Sequence, residues 1–269
     1  MPTDNAYPSL AASGRDAAVV ARALRWFQTE DGAALYRRFQ AEYLRSVRRL
    51  FIEIALARLG RPPRRILDVG CGAGDALAYL AERVPAAELH GIDPEAAMLE
   101  EARDRLGARA SLAQVALEDF AGADGSFDLV LAYSNFRFWA RPADGLAAAW
   151  RLLATGGLVY LLDLDRGLEA PLRSLLLARI PDDATRGFLR DQLDAAYALD
   201  EVHELLRASG VPRYQLAAGG LGGHAPTSLE AIQLMQQSER IYALLLELPR
   251  TGFKVASSAS SVFHLFMHK

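Results

Sequence analysis

Cysteine is nearly absent: Cys71 stands alone in 269 residues, which excludes an internal disulfide and any metal cluster built on several thiolates. Lysine is almost as scarce, confined to Lys254 and Lys269, so arginine carries the positive charge. With 30 basic against 33 acidic side chains the formal net charge is -3, and there is no global basic field to draw in nucleic acid or an anionic membrane. No run approaches the roughly 18 consecutive apolar residues of a membrane span. The opening stretch MPTDNAYPSLAASGRD lacks the charged-then-apolar order of a secretion signal. These absences lead to the expectation of a cytoplasmic protein with neither nucleic-acid nor membrane partners; a homodimer stays open.

What is present is apolar. Hydrophobic residues make up 51% of the chain, enough for a large core, and the length suits one α/β domain with appended elements. Val19, Val20, Ala23, Leu24 and Phe27 share one helical face. A second helical run extends from about Ala33 to Leu59, stopped by Gly60 and Pro62-Pro63. From Arg64 onward, short apolar runs alternate with helical ones. The runs Ile66–Val69, Leu89–Ile92, Leu112–Val115, Leu129–Ala132 and Leu158–Leu162 predict strands, with helices over Ala76–Arg83, Pro94–Leu106 and Pro142–Leu153 between them. Such alternation implies a parallel sheet covered on both faces. A long helical stretch over about 169–210, a strand at Tyr214–Ala217, a helix at Ser228–Leu248 and a last strand at Ser261–Met267 complete the pattern.

The most informative segment is ILDVGCGAGD, residues 66–75. An apolar strand runs into Gly70, Gly72 and Gly74, and a helix starts at once. The glycines let the backbone turn sharply and let a ligand approach without meeting a Cβ. Asp93, after the next strand, can accept hydrogen bonds from the two hydroxyls of an adenosine ribose. A loop for a dinucleotide reads G-x-G-x-x-G and cradles pyrophosphate; here Asp75 takes the place of the last glycine, where it would repel a pyrophosphate. Asp68 suits a ligand with a positively charged amino group. S-Adenosylmethionine carries such a group beside its carboxylate and sulfonium.

Four ordered segments resemble the motifs of class I S-adenosylmethionine-dependent methyltransferases: ILDVGCGAGD, ELHGIDPEAAMLEEAR, GSFDLVLAYS and AAAWRLLATGGLVYLLDLD. They cover roughly residues 64–166, and the overall look is similar to small-molecule enzymes related to the ubiquinone and menaquinone methyltransferases. The resemblance implies an α/β fold, a Rossmann-like seven-stranded doubly wound sheet with a helical cap, whose strands six and seven form an antiparallel edge. Residues 1–63 are expected as an N-terminal helical extension or lid. Residues 64–269 then form the methyltransferase domain, with cap insertions at about 169–210 and 221–252. The implied function is transfer of the methyl group of S-adenosylmethionine to a small-molecule, secondary-metabolite acceptor. The alternative is an S-adenosylmethionine-binding protein with a non-methylating role, either a cyclisation catalyst or a non-catalytic binder.

By the same resemblance, Asp68 and the backbone around Gly70–Gly72 hold the methionyl end, Asp93 holds the ribose, Met98 packs near the adenine, and Leu117 and Glu118 meet its edge; Cys71, Gly74 and Pro94 are also expected among the cofactor-binding residues. The family often has an acidic residue where Ala116 stands. Tyr133 and Ser134 are expected at the cofactor. Tyr36, Phe39 and Tyr43 recur at helical spacing, so Tyr36 is a candidate to cover the cofactor from a lid. For chemistry on the acceptor, Arg137 is a candidate to bind a carboxylate or stabilise an oxyanion, in place of the histidine many relatives carry there. His224, in a glycine-rich loop, is the candidate general base. Asp163 and Asp165 end the fifth strand without a second acidic cluster, and no metal is expected. The arginines from Arg37 to Arg65 suit the wet face of a helix. Phe136, Phe138, Trp139, Met235 and Tyr242 hint at a flat or hydrophobic acceptor.

Overall fold

The computed structural model describes residues 15–221, 224, 226, 228, 231, 233–234 and 261–269, with the side chains of residues 42 and 43 left aside. Seven strands form one sheet in the order β3-β2-β1-β4-β5-β7-β6. They are β1 (Arg65–Val69), β2 (Glu88–Asp93), β3 (Ala110–Gln114), β4 (Phe127–Tyr133), β5 (Leu153–Leu164), β6 (Tyr214–Ala218) and β7 (Val262–His268). The first five pair in parallel, and β7 runs antiparallel between β5 and β6. This is the expected doubly wound sheet with an antiparallel edge.

The strands are buried on both faces because their side chains alternate between two cores. Leu158, Tyr160 and Leu162 of β5 enter one core, and Val159 and Leu161 enter the other. The first core is covered by α3 (Arg45–Leu59), α4 (Asp75–Arg83) and α5 (Ala96–Leu106), and the second by α6 (Pro142–Leu152) and α9 (Leu199–Ser209). Within the first core, Glu53 of α3 is buried but accepts hydrogen bonds from Tyr79 and Arg83 of α4, both at 2.9 Å.

The N-terminal helices are anchored, not loose. Asp16 caps α1 (Ala17–Gln28), and Thr29 caps α2 (Glu30–Phe39) by accepting from Gly32 N at 3.2 Å. Both residue types favour this position because a side-chain oxygen satisfies a free amide of the first turn. α1 lies against α8 (Asp183–Ala195), where Asp191 accepts from both Arg22 and Trp26 at 2.8 Å. α2 runs through a π-helical turn, Gln40–Leu44, straight into α3, so the single run expected from Ala33 is present with a widened turn inside it.

The stretch expected as one long helix over about 169–210 is three: α7 (Ala170–Ala178), α8 and α9. Pro181 offers no amide for continuing a helix, and Asp182 beside it caps α8 through Thr185 N at 2.8 Å. The second break holds Tyr197, whose carbonyl accepts from Arg166 N at 3.0 Å beside β5. The cap insertion at about 221–252, the helix Ser228–Leu248 with Met235 and Tyr242, and the side chain of Tyr43 fall wholly or largely outside the described residues. No helix among the described residues is long and apolar enough to cross a membrane.

Candidate active site

A cavity of about 630 Å³ opens above the carboxyl ends of β1, β2 and β4, where parallel α/β sheets place their ligands. Its floor is the turn after β1. Gly70 and Cys71 donate to the Ile92 carbonyl at 2.8 and 3.0 Å, tying the turn to β2. Gly70 has φ +64°, and a Cβ there would lie 2.5 Å from Asn135 Nδ2. That amide donates to the Val69 carbonyl at 2.6 Å and fixes the turn from the β4 side. Gly72, at φ +53°, has nothing within 4 Å of a would-be Cβ. A side chain there would fill the cradle itself.

Two buried carboxyls flank this turn. Asp93 accepts from Gly72 N through one oxygen and from Glu95 N through the other, both at 2.9 Å. Each oxygen retains a lone pair, so the ribose role remains open to it. Burial raises its pKa against the lowering effect of those amides. Asp68 is 3% exposed, and its Oδ2 has no hydrogen-bond partner among the described residues. Desolvation lifts it from 3.8 to about 7, although the Arg48 charge works the other way. A buried orphan acceptor of this kind marks a place for a missing donor, and a cationic amino group fits it in charge and hydrogen bonding.

The cavity lining brings together Tyr36, Asp68, Gly70, Cys71, Gly72, Asp93, Pro94, Met98, Leu117, Glu118, Tyr133 and Ser134. Gly74 stands apart: a Cβ on it would meet Leu106 and Ala102 of α5, so it serves helix packing. Ala116 lines the wall beside Glu118, whose carboxylate accepts from Arg141 N at 2.9 Å. Ser134 is a non-glycine residue at φ +59°, held by donating its amide to the Leu162 carbonyl at 2.7 Å. Such strain is typical of backbone that must aim a group into a site.

The two candidates for acceptor chemistry are not among the lining residues. Arg137 is 4% exposed and its guanidinium is already taken. It pairs with Asp163, donates to Gln192 Oε1 at 3.0–3.1 Å and reaches Ser134 Oγ at 3.3 Å. A cation so fully engaged serves the framework behind Ser134 and has no free face for a substrate anion. His224 lies by the β6–β7 edge, with Arg58 3.2 Å from its Nδ1 and the His264 ring 4.3 Å away. Burial and the Arg58 charge lower its pKa. His264 is driven further, to about 3, mainly by burial. Asp163 is held by Arg137, and Asp165 accepts from Gly167 N at 2.7 Å. Among the described residues no three acidic, histidine or cysteine side chains gather as a metal site.

Sequence reasoning missed Gln40 and Arg48, which also line the cavity. Arg48 was grouped with solvent-facing arginines, yet its side chain is only 13% exposed and lies 3.3 Å from Asp75. The widened turn after α2 rotates the following helix, which a regular 3.6-residue period does not anticipate.

Comparison with known proteins agrees with this geometry. Residues 66–157 match the family model described as "Methyltransferase domain". The chain is 36% identical over 174 residues to trans-aconitate 2-methyltransferase of Acidovorax sp. (strain JS42), covering 64% of this chain and 62% of that protein. It is 38% identical over 116 residues to demethylmenaquinone methyltransferase of Deinococcus radiodurans, covering 40% and 46%. The chain thus spans less than two thirds of the length of these relatives. The structure of the plantazolicin methyltransferase BpumL in complex with SAH superposes with a TM-score of 0.70 at 22% identity, covering 94% of this chain and 96% of that one, so the two share a fold. Residues 66–157 therefore form a methyltransferase domain.

Proposed function

We propose that this protein transfers the methyl group of S-adenosylmethionine to a small-molecule acceptor. The observation that carries this reading is the orphaned carboxyl oxygen of Asp68, buried at the glycine turn beside the half-engaged carboxylate of Asp93. When bound, the cofactor supplies a methyl group already activated on a sulfonium. The protein's share is then placement and the exclusion of water. Asp68 receives the ammonium of the methionyl end, Asp93 keeps its free lone pairs for the ribose hydroxyls, and Met98 and Leu117 enclose the adenine. Leu24 and Phe27 of α1, Tyr36 of α2, and Phe138 form an apolar wall over the other end, which gives the N-terminal helices the role of a lid.

The same wall bears on the acceptor. No histidine is among the lining residues described, and burial holds the phenols of Tyr36 and Tyr133 above their ordinary range. An acceptor that must first lose a proton would depend on the lining carboxylates, of which Asp68 and Asp93 are assigned to the cofactor, Asp75 is paired with Arg48 and Arg105, and Glu118 accepts from Arg141 N. This favours a nucleophile that is unprotonated at neutral pH, above all a carboxylate, with hydrocarbon or aromatic parts against Phe27 and Phe138. A relative named for an acid, trans-aconitate, supports that class.

The test is calorimetry with S-adenosylhomocysteine. The wild-type chain should bind it, and Asp93→Ala should bind roughly ten- to a hundredfold more weakly, the worth of one charge-assisted hydrogen bond. Undiminished affinity in that variant would reject the assignment. Saturable binding of NAD would point instead to a dinucleotide site.

A further inference from the structure

The helix that closes the cavity widens into its π turn where it passes over the ligand space, and such turns recur at functional sites. Gln40, the first residue of that turn, is 9% exposed and lies between two other cavity residues. Arg48 donates to its Oε1, and its Nε2 donates to the Tyr36 hydroxyl oxygen. The direction of this chain is dictated by its first member. A guanidinium has five N–H donors and no acceptor, so only the amide oxygen of Gln40 can face it. The amide nitrogen is thereby turned to Tyr36, whose oxygen must accept. The phenol's own proton has no acceptor among the described residues, and Tyr36 lines the cavity.

We propose that Gln40 is a positioning residue that relays the orientation of Arg48 to Tyr36, fixing the Tyr36 hydroxyl as a hydrogen-bond donor toward the cavity and making, with Arg48, a subsite for a carboxylate. The inference rests on the proposed cofactor reading, which brings one such carboxylate at the methionyl end; an acidic acceptor would bring another. Burial keeps the phenol protonated, so it offers a donor and not a base. Arg48 is steadied by Asp75 at 3.3 Å and lies over the Tyr133 ring at 5.5 Å.

Gln40→Glu tests the polarity of the relay. A carboxylate at this position keeps the size and pairs with Arg48, so the fold is retained, but it accepts the Tyr36 proton and turns it away from the cavity. Binding to the full chain is measured by calorimetry with three probes: S-adenosylhomocysteine, its decarboxylated analogue, and trans-aconitate added to the S-adenosylhomocysteine-loaded protein. Gln40→Glu and Tyr36→Phe should each weaken a carboxylate probe by roughly ten- to a hundredfold. A loss for S-adenosylhomocysteine but not for its decarboxylated analogue assigns the subsite to the cofactor; a loss for trans-aconitate alone assigns it to the acceptor. The new charge of Gln40→Glu is controlled by the double variant. If it acts through the phenol, Tyr36→Phe/Gln40→Glu binds no more weakly than Tyr36→Phe, whereas simple charge repulsion would add its full penalty. Additivity, or unchanged binding of S-adenosylhomocysteine with trans-aconitate equally or never bound, overturns the relay. A wild-type chain that binds no S-adenosylhomocysteine overturns both the relay and the proposed function.

Discussion

Two carboxyls at the carboxyl ends of neighbouring parts of the sheet are equally hidden and entirely differently used. Asp163, near the end of β5, is 1% exposed, and Asp68, in β1, is 3% exposed. Asp163 is engaged through both oxygens: it takes the Arg137 guanidinium, the Arg137 amide at 2.9 Å and the Leu164 amide at 2.7 Å. Gln192 braces the same arginine and donates to the Ala23 carbonyl at 3.1 Å, which joins α8 and α1 to the network. Asp68 has an oxygen without a hydrogen-bond partner among the described residues. A closed polar network specifies structure, whereas an open one at a cavity waits for a ligand. The contrast separates scaffold from site more cleanly than residue type does, since arginine and aspartate occur in both.

The contrast can be broken most severely at its closed side. Arg137→Met leaves Asp163 buried without its cation and should cost about 3–5 kcal/mol of stability, read as a lower urea midpoint at unchanged slope. A loss below about 1 kcal/mol would mean that the network is not a keystone. At the open side, Asp68→Asn should behave oppositely, keeping or raising the stability of the unliganded protein while weakening S-adenosylhomocysteine. Because folding raises the Asp68 pKa from 3.8 to about 7, the folded state holds this proton more tightly than the unfolded chain. The associated stabilisation is full below about pH 4 and fades as pH rises through 7. Ligand affinity should run the other way, rising with pH until about 7 as the carboxylate forms to meet the ammonium. Asp68→Asn should flatten both dependences; a retained affinity slope would place the titrating group elsewhere. The smallest effect belongs to His224→Ala, outside the cavity lining. It should leave S-adenosylhomocysteine affinity within about twofold and cost on the order of 1 kcal/mol through lost contact with Arg58 and the His264 ring. A collapse of methyl transfer with binding intact would restore this histidine as a base.

The sheet and the floor of the site were legible because they depend on local rules. Alternating apolar runs mark strands, glycines at 70 and 72 mark a turn that admits a ligand, and Asp93 follows at the distance of one helix and one strand. The wall was less legible. Nothing in the spacing of Tyr36, Gln40 and Arg48 announces a π turn, and a regular helix would send Arg48 toward water. Arg137 misled for a related reason: its sequence neighbours are aromatic, but its partners Asp163 and Gln192 are 26 and 55 residues away. Burial of a charge by distant partners leaves no periodic trace. The break at Pro181 and Asp182, by contrast, was written in the sequence as a helix stop and start and went unused in the single long helix expected there.

The position of β7 carries a consequence for how the protein assembles. Among the described residues β6 pairs with β7 alone, so this pairing waits until a strand about fifty residues later has threaded between β6 and β5. The pairing of Tyr160 with Phe266 closes a loop of about a hundred residues, an entropic cost that must be met before the contact gives anything back. The floor of the cavity requires only strands drawn from residues 65–133. Order of assembly is therefore built into the topology: the glycine turn that floors the cavity has all its strands early in the chain, and the edge beside it is a late, slow addition.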